Sequence, residues 1–95
     1  MNIDALKEKT FARLKMLGVA TNGEIADYSI KKSMQYAADY CNLSGAEYFP
    51  PDAEIYLIEY AVGDYLLEND GFSPKWEKMR KDAETGLLRF RRIRW

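Results

Sequence analysis

The sequence contains no histidine and only one cysteine among its 95 residues. Histidine is the commonest protein ligand for metals and the commonest general base, so its absence disfavours most metal-dependent and acid–base enzymes. Cys41 has no second cysteine with which to form an internal disulfide, and we expect it to be a small buried hydrophobic residue rather than a reactive thiol. These absences favour a protein that is not an enzyme and that needs neither cofactor nor metal.

Long apolar runs are also missing. No stretch approaches the roughly 18 apolar residues of a membrane span, and the first residues, MNIDALKEKTFARLK, mix acids and bases without an apolar segment. We therefore expect no membrane contact, no signal peptide and a cytoplasmic site of synthesis. The glycine loops, Cys/His clusters and other signatures of catalytic or calcium sites are absent too. The carboxylate pairs Asp52/Glu54 and Glu59/Asp64 are expected to be solvated or to face a helix dipole rather than to act in catalysis.

The composition is that of a single globular domain spanning residues 1–95, with 47% apolar and 31% charged residues. The net charge is only −1, but the charges are segregated along the chain. Residues 1–32 carry six bases and four acids, residues 33–74 carry eight acids and no base, and residues 75–95 carry eight bases and three acids. Two interpretations stay open: the acidic middle and the basic end attract each other within the fold, or they contact other molecules.

The most apolar stretch, PPDAEIYLIEYAVGDYLLE, predicts a central helix. Pro51 suits a first helical turn, and Asp52 and Glu54 place negative charge at the positive end of the helix dipole. The apolar positions cover about half of the circumference, so we expect more than one neighbouring helix. Tyr56 and Tyr60 lie one turn apart on the remaining face and form either a half-buried core rim or a partner contact. The predicted core positions are Ile55, Leu57, Ile58, Ala61, Val62, Tyr65 and Leu66.

Two helices are predicted before the central one. The first covers about 4–17 and is closed by Gly18, which favours the left-handed conformation of a helix end. The second covers about 22–41 and follows a capping box formed by Thr21 and Glu24. The predicted core positions are Ile3, Leu6, Thr10, Leu14 and Leu17 in the first helix, and Ala26, Ile30, Met34, Ala37, Ala38 and Cys41 in the second.

A fourth helix follows the central one. Ser73 suits its N-cap and Pro74 its first residue, and we expect it to end near Glu84 because Gly86 disfavours its continuation. The predicted fold is therefore all-α, a small bundle of about four helices with a basic C-terminal tail at about 86–95. The tail contains LLRFRRIRW, which fits an extended strand about as well as a frayed helix. The predicted apolar stripe of the fourth helix is Trp76, Met79, Ala83 and Leu87.

Three features together resemble a known family. They are the paired segments IKKSMQYAADYCNLS and PPDAEIYLIEYAVGDYLLE, the order of short helices over nearly the whole chain, and the terminal RFRRIRW. In these features the chain is similar to the small helical head–tail connector, or adaptor, proteins of tailed bacteriophages and prophages. The first segment resembles the connector pattern of a helix that ends in an aromatic residue and Cys or Thr before a loop, and the second resembles the helix that follows.

The resemblance implies a structural virion protein. Such a protein docks on the portal at the capsid vertex, forms a ring of identical subunits that continues the DNA channel, and presents a surface to the next neck or tail component. The implied locations are the bacterial cytoplasm during assembly and the virion neck afterwards.

The C-terminal segment is the predicted partner-binding element, because its charge is of one sign and bulky apolar residues persist to its last position. We expect the segment to bind either a neighbouring subunit or the portal, with its aromatic and aliphatic residues as anchors. Its arginines would pair with acidic surface such as that of residues 33–74. The alternatives are packing on its own domain, passing contact with DNA in the channel, or a small nucleic-acid-binding protein whose arginines neutralise phosphates. The predicted partner-binding residues are Arg89, Phe90, Arg91, Arg92, Ile93, Arg94 and Trp95, together with Tyr56 and Tyr60.

Overall fold

The computed structural model is an all-α bundle, which confirms the predicted fold class, and it describes residues 3–19, 22–41, 51–69, 71 and 73–90. None of the helices in these ranges has the length and apolarity needed to span a membrane. The elements are α1 (Ile3–Met16), α2 (Gly23–Cys41), a short 3-10 turn (Pro51–Ala53) that leads into α3 (Glu54–Asn69), and α4 (Pro74–Leu88).

The helix α3 is the centre of the bundle, as predicted, since α1, α2 and α4 all pack against it. Leu57, Val62 and Tyr65 are among its buried side chains. The prediction for Ile55 was wrong, because 53% of this side chain is exposed. Ile55 lies in the first turn of α3, where it lines a shallow groove with Lys9 of α1. The apolar arc of α3 is therefore wider than the surface that its three neighbours cover.

The C-terminus of α1 ends in the turn that glycine was expected to provide. Gly18 has a φ of +75°, its N–H donates to the carbonyl of Lys15 at 3.0 Å, and the N–H of Val19 donates to the carbonyl of Leu14 at 3.1 Å. These two bonds define a Schellman motif. The turn carries Leu17 out to 38% exposure, so its predicted core position was wrong, and Val19 packs against the core instead.

The N-terminus of α2 is capped one residue later than expected. The side-chain oxygen of Asn22 accepts hydrogen bonds from the N–H of Glu24 at 3.0 Å and of Ile25 at 3.2 Å. Asn22 is therefore the cap, whereas Thr21 lies outside the described residues. The backbone N–H of Asn22 also donates to the hydroxyl of Tyr65 at 2.8 Å, which ties the start of α2 to the central helix.

The face that α2 turns toward the core is built from small side chains. Ser29, Ser33 and Ala37 are buried there together with the predicted Ala26, Ile30 and Cys41. Met34 and Ala38 are only partly buried, so the stripe lies slightly to one side of the predicted one. Small residues on this face allow α2 to approach α3 closely.

The helix α4 is longer than predicted, and Gly86 does not end it. Gly86 is buried inside the last turns of α4, where a Cβ atom would lie 2.2 Å from the ring of Tyr56. The glycine thus permits close packing of α4 on α3, and the helix continues to Leu88. The predicted tail therefore does not begin at residue 86. Pro74 is the first residue of α4, as predicted, although the Ser73 side chain makes no capping hydrogen bond.

Candidate functional site

One side of α2 carries four large side chains at intervals of four residues: Tyr28, Lys32, Tyr36 and Tyr40. Residues four apart lie on nearly the same side of a helix, so they form a continuous row, which we call the α2 tyrosine stripe. The ammonium of Lys32 lies 4.4 Å from the ring centroid of Tyr28, and the rings of Tyr36 and Tyr40 are 4.8 Å apart. Tyr28 is 57% exposed and Tyr40 62% exposed, and tyrosine is one of the residue types enriched in protein–protein interfaces.

Tyr60 connects the α2 tyrosine stripe to the core. Its ring lies 5.4 Å from that of Tyr36, the Arg80 guanidinium is 6.0 Å from its centroid, and the residue is only 9% exposed. Burial raises the pKa of Tyr60 despite the opposing effect of Arg80. Burial also raises the pKa of Tyr36, with a further contribution from the carboxylate of Glu84. Both phenols are therefore neutral at physiological pH.

A buried carboxylate joins three helices beside this cluster. Asp64 of α3 is 2% exposed. One of its oxygens accepts from the Ser29 hydroxyl at 2.9 Å and from the Lys32 ammonium at 3.2 Å. The other accepts from the Arg80 guanidinium at 3.3 Å. We expected Asp64 to be solvated or to face a helix dipole, and this was wrong, because it lies on the side of α3 that both α2 and α4 cover.

The acids of α3 form ion pairs with bases of the helices that pack around it. Burial lowers the pKa of Lys32, but its hydrogen bonds to Glu68 and Asp64 outweigh this, so its pKa is raised. The acids of α3 thus pair within the fold mainly with bases of residues 1–32, and among the described residues only Asp64 with Arg80 joins the acidic middle to the basic end. The pairs are Glu54 with Lys9, Glu59 with Arg13, Asp64 with Lys32 and Arg80, and Glu68 with Lys32.

A groove of about 350 Å³ lies between α3 and α4. Its apolar lining comes from Tyr56, Met79 and Ala83, and its charged lining is of mixed sign. Lys78 and Asp82 form an ion pair of 2.9 Å at this groove. The groove therefore offers an apolar surface bordered by charged side chains. Its charged lining residues are Glu59, Lys75, Lys78 and Asp82.

The predicted partner-binding residues fall into two groups. Phe90 packs within its own domain, with its ring centroid 6.1 Å from that of Tyr56, and Tyr56 also contacts Gly86. Arg89 is exposed at the end of α4. The structure thus brings Phe90 and Tyr56 together but places Tyr60 elsewhere on α3. Arg91, Arg92, Ile93, Arg94 and Trp95 lie outside the described residues, and their partner contacts stay predictions.

Sequence reasoning missed two members of the α2 tyrosine stripe and the role of Asp64. The stripe had a visible signal, because Tyr28 and Lys32 continue the four-residue spacing of Tyr36 and Tyr40. The sequence carries no signal for the burial of Asp64, since that burial depends on which helices flank α3.

In the described part of the chain, no group of three or more His, Cys, Asp or Glu side chains is placed to hold a metal ion. Cys41 is buried, as predicted. No protein family, curated protein or solved structure matches this chain.

Proposed function

We propose that the protein is a structural assembly subunit, a head–tail connector component that docks on the portal of a tailed phage or prophage and forms a ring of identical subunits in the neck. The observation that carries this proposal is the α2 tyrosine stripe. Tyr28 and Tyr40 expose more than half of their surface on a folded body whose α3 acids are already paired internally. Tyrosine brings large apolar area with a polar tip, which suits protein–protein contact.

The kind of assembly comes from the resemblance to head–tail connector proteins. The stripe lies on α2 and the groove is lined by residues of α3 and α4, so one copy offers two separate sets of contact residues to its neighbours. Contacts between different surfaces are heterologous, and these close into rings when the rotation between subunits permits it. The ring, the portal and the next neck component are the partners that this proposal names.

Nucleic-acid binding is less well supported by the described residues. Along α4 the lysines alternate with acids, and Lys78 pairs with Asp82 while Lys81 pairs with Glu77. Such pairing removes much of the positive charge that phosphate contacts require. Contact with DNA in the channel remains a prediction for the arginines of residues 91–95.

The test is co-expression of the full chain with the portal protein encoded in the same genome, followed by purification through the portal and electron microscopy. We expect the chain to co-purify and to add a ring of density at the portal. The double variant Tyr28→Ser/Tyr40→Ser should lower the retained fraction by about tenfold or more, as for loss of interface hot spots. Met16→Ser is the matched control, because Met16 is 78% exposed but lies on α1. Failure of the unaltered chain to bind the portal would refute the proposal.

A further inference from the structure

The charged side chains of α4 are divided between two sides of the helix. The guanidinium of Arg80 binds the buried carboxylate that α2 also binds, and burial and the Glu84 carboxylate together raise the pKa of Tyr36 in α2. Lys78 and Asp82 each lie two positions before Arg80 and Glu84, which is about 200° around the helix. These two residues line the groove between α3 and α4. The groove therefore opens away from α2 of the same chain.

The groove has an apolar lining and a lysine at its rim that makes no ion pair. Tyr56, Met79 and Ala83 supply the apolar lining. The ammonium of Lys75 lies 4.8 Å from the ring centroid of Trp76, and Lys75 takes part in none of the ion pairs among the described residues. An aromatic ring beside a carboxylate complements such a groove, because rings pack well on methionine sulfur and a carboxylate pairs with the ammonium.

The last turn of α2 presents this combination of a ring and a carboxylate. Tyr40 is 62% exposed, and one side of its ring packs on Tyr36. The preceding residue, Asp39, is exposed and accepts a hydrogen bond from Gln35. It belongs to none of the ion pairs found in the described ranges, and the last turn of α2 contains no base. The charge at this end of α2 is therefore complementary to that of Lys75.

A second copy is the occupant that these positions favour. Tyr36 faces Tyr60 on the side of the bundle where α2 meets α4, and Tyr40 follows it by one turn on α2. The groove opens away from α2, so the Tyr40 ring does not reach the groove of its own chain. An identical chain carries the same ring and carboxylate, and contacts between two different surfaces of identical chains propagate and can close into a ring.

We propose that Tyr40 of one copy enters the groove between α3 and α4 of the next copy. There its ring packs on Met79 and Tyr56, and the adjacent Asp39 pairs with Lys75. This inference rests on the proposed function, since it names the contact between identical subunits of the ring.

Reversal of the two charges tests the contact. Self-association of the full chain is measured by sedimentation velocity at concentrations up to about 1 mM, because one aromatic anchor and one ion pair bind weakly. Asp39→Lys and Lys75→Glu bring like charges together, and each should raise the Kd by about tenfold or more. The double variant Asp39→Lys/Lys75→Glu should return the Kd to within about threefold of the wild-type value. Glu8→Lys and Lys15→Glu are the matched controls, because they make the same charge changes at exposed positions of α1 and should change nothing.

A mixing experiment tests whether the contact joins two different surfaces. Tyr40→Ser removes the anchor and Lys75→Glu alters the groove, so each variant alone should stay monomeric at concentrations at which the wild-type chain associates. In an equal mixture, the intact groove of the Tyr40→Ser chain can accept Tyr40 of the Lys75→Glu chain. We expect a dimer and no larger species, because the two surfaces left over are both altered. Circular dichroism of each variant should show an unchanged helix content.

Four results would overturn the proposal. The first is a wild-type chain that stays monomeric at about 1 mM, and the second is a Kd that neither charge reversal changes. The third is a double variant that associates no better than the single variants. The fourth is a mixture that stays monomeric, which would place Tyr40 and Lys75 on one shared surface.

Retention on the portal, measured with the same variants, separates this inference from the proposed function. A chain that associates through Tyr40 and the groove but does not bind the portal would leave this contact in place and refute the proposed function. A chain that binds the portal, but whose self-association is unaffected by Asp39→Lys and Lys75→Glu, would refute this contact and leave the proposed function standing. Loss of portal binding alone in the Lys75→Glu protein would assign the groove to the portal and count against a second copy.

Discussion

Replacing Gly86 with alanine tests how closely α4 packs on α3. The new Cβ would lie 2.2 Å from Cδ1 and 2.3 Å from Cε1 of Tyr56, whereas carbon atoms in contact are about 3.5–4.0 Å apart. The ring would therefore have to move by more than about 1 Å, and Phe90 packs beside it. Overpacking of this kind costs about 1–3 kcal/mol, while alanine in place of glycine in a helix gains about 1 kcal/mol. We expect Gly86→Ala to destabilise the protein by up to about 2 kcal/mol net.

The sign of this effect should reverse when the ring is removed. In a Tyr56→Ala background the obstacle is absent, and Gly86→Ala should then stabilise the protein by up to about 1 kcal/mol through helix propensity alone. The four proteins of this double-mutant cycle are compared by urea unfolding followed by circular dichroism, at unchanged m-value. Gly23→Ala is the control, since no atom lies within 4 Å of a Cβ at Gly23, and it should leave the stability unchanged or raise it by up to about 1 kcal/mol. Equal effects of Gly86→Ala in both backgrounds would refute the close contact.

Three further predictions concern the core and its charges. Asp64→Ala should lower the free energy of unfolding by about 2–3 kcal/mol, less than for a fully buried pair, because Arg80 is partly exposed and has Glu84 nearby. The surface control Asp82→Ala should change it by no more than about 0.5 kcal/mol, and equal effects of the two substitutions in urea titrations would argue against the buried network. Leu57→Ala should cost about 2–5 kcal/mol through the cavity that it leaves, and an unchanged thermal midpoint would remove Leu57 from the core. Burial holds the pKa of Tyr60 above its ordinary value of 10.0, so the unfolded chain loses this proton first and the free energy of unfolding should fall as pH rises above about 10. Tyr60→Phe should lessen that fall between about pH 9 and 11, and the same dependence of unfolding free energy on pH in both proteins would contradict this assignment.

The helices and most of their ends were predictable because their signals are local. Gly18 and Pro74 act through their own backbone preferences, and the arc of apolar residues on α3 reports burial directly. The end of α4 was not predictable in this way. A glycine in a helical pattern signals either a helix end or a close contact, and the choice at Gly86 depends on the ring of Tyr56, 30 positions earlier in the chain. The prediction that Ile55 is a core residue was wrong for a related reason, since periodicity does not reveal how much of an apolar arc the neighbouring helices cover.

The candidate site was only partly predictable, for a different physical reason. An aromatic residue has the same sequence signature whether it packs on its own domain or on a partner. Sequence therefore could not separate Phe90 and Tyr60, which contact their own domain, from Tyr40, which is largely exposed. Likewise, Asp64 resembles any helical surface acid until the positions of Ser29 and Arg80 are known.

The carboxylate shared by α2, α3 and α4 also constrains how this protein can diverge. Neither Lys32 nor Arg80 can change alone without altering the charge balance around Asp64, and loss of Asp64 leaves two cations and the Ser29 hydroxyl without their common acceptor. Replacing such a set together with apolar residues is often neutral, whereas removing one member is not. We therefore expect these four positions to change together in related sequences. Proteins with only one of the four replaced should be rare, even where the surrounding helices tolerate independent substitutions.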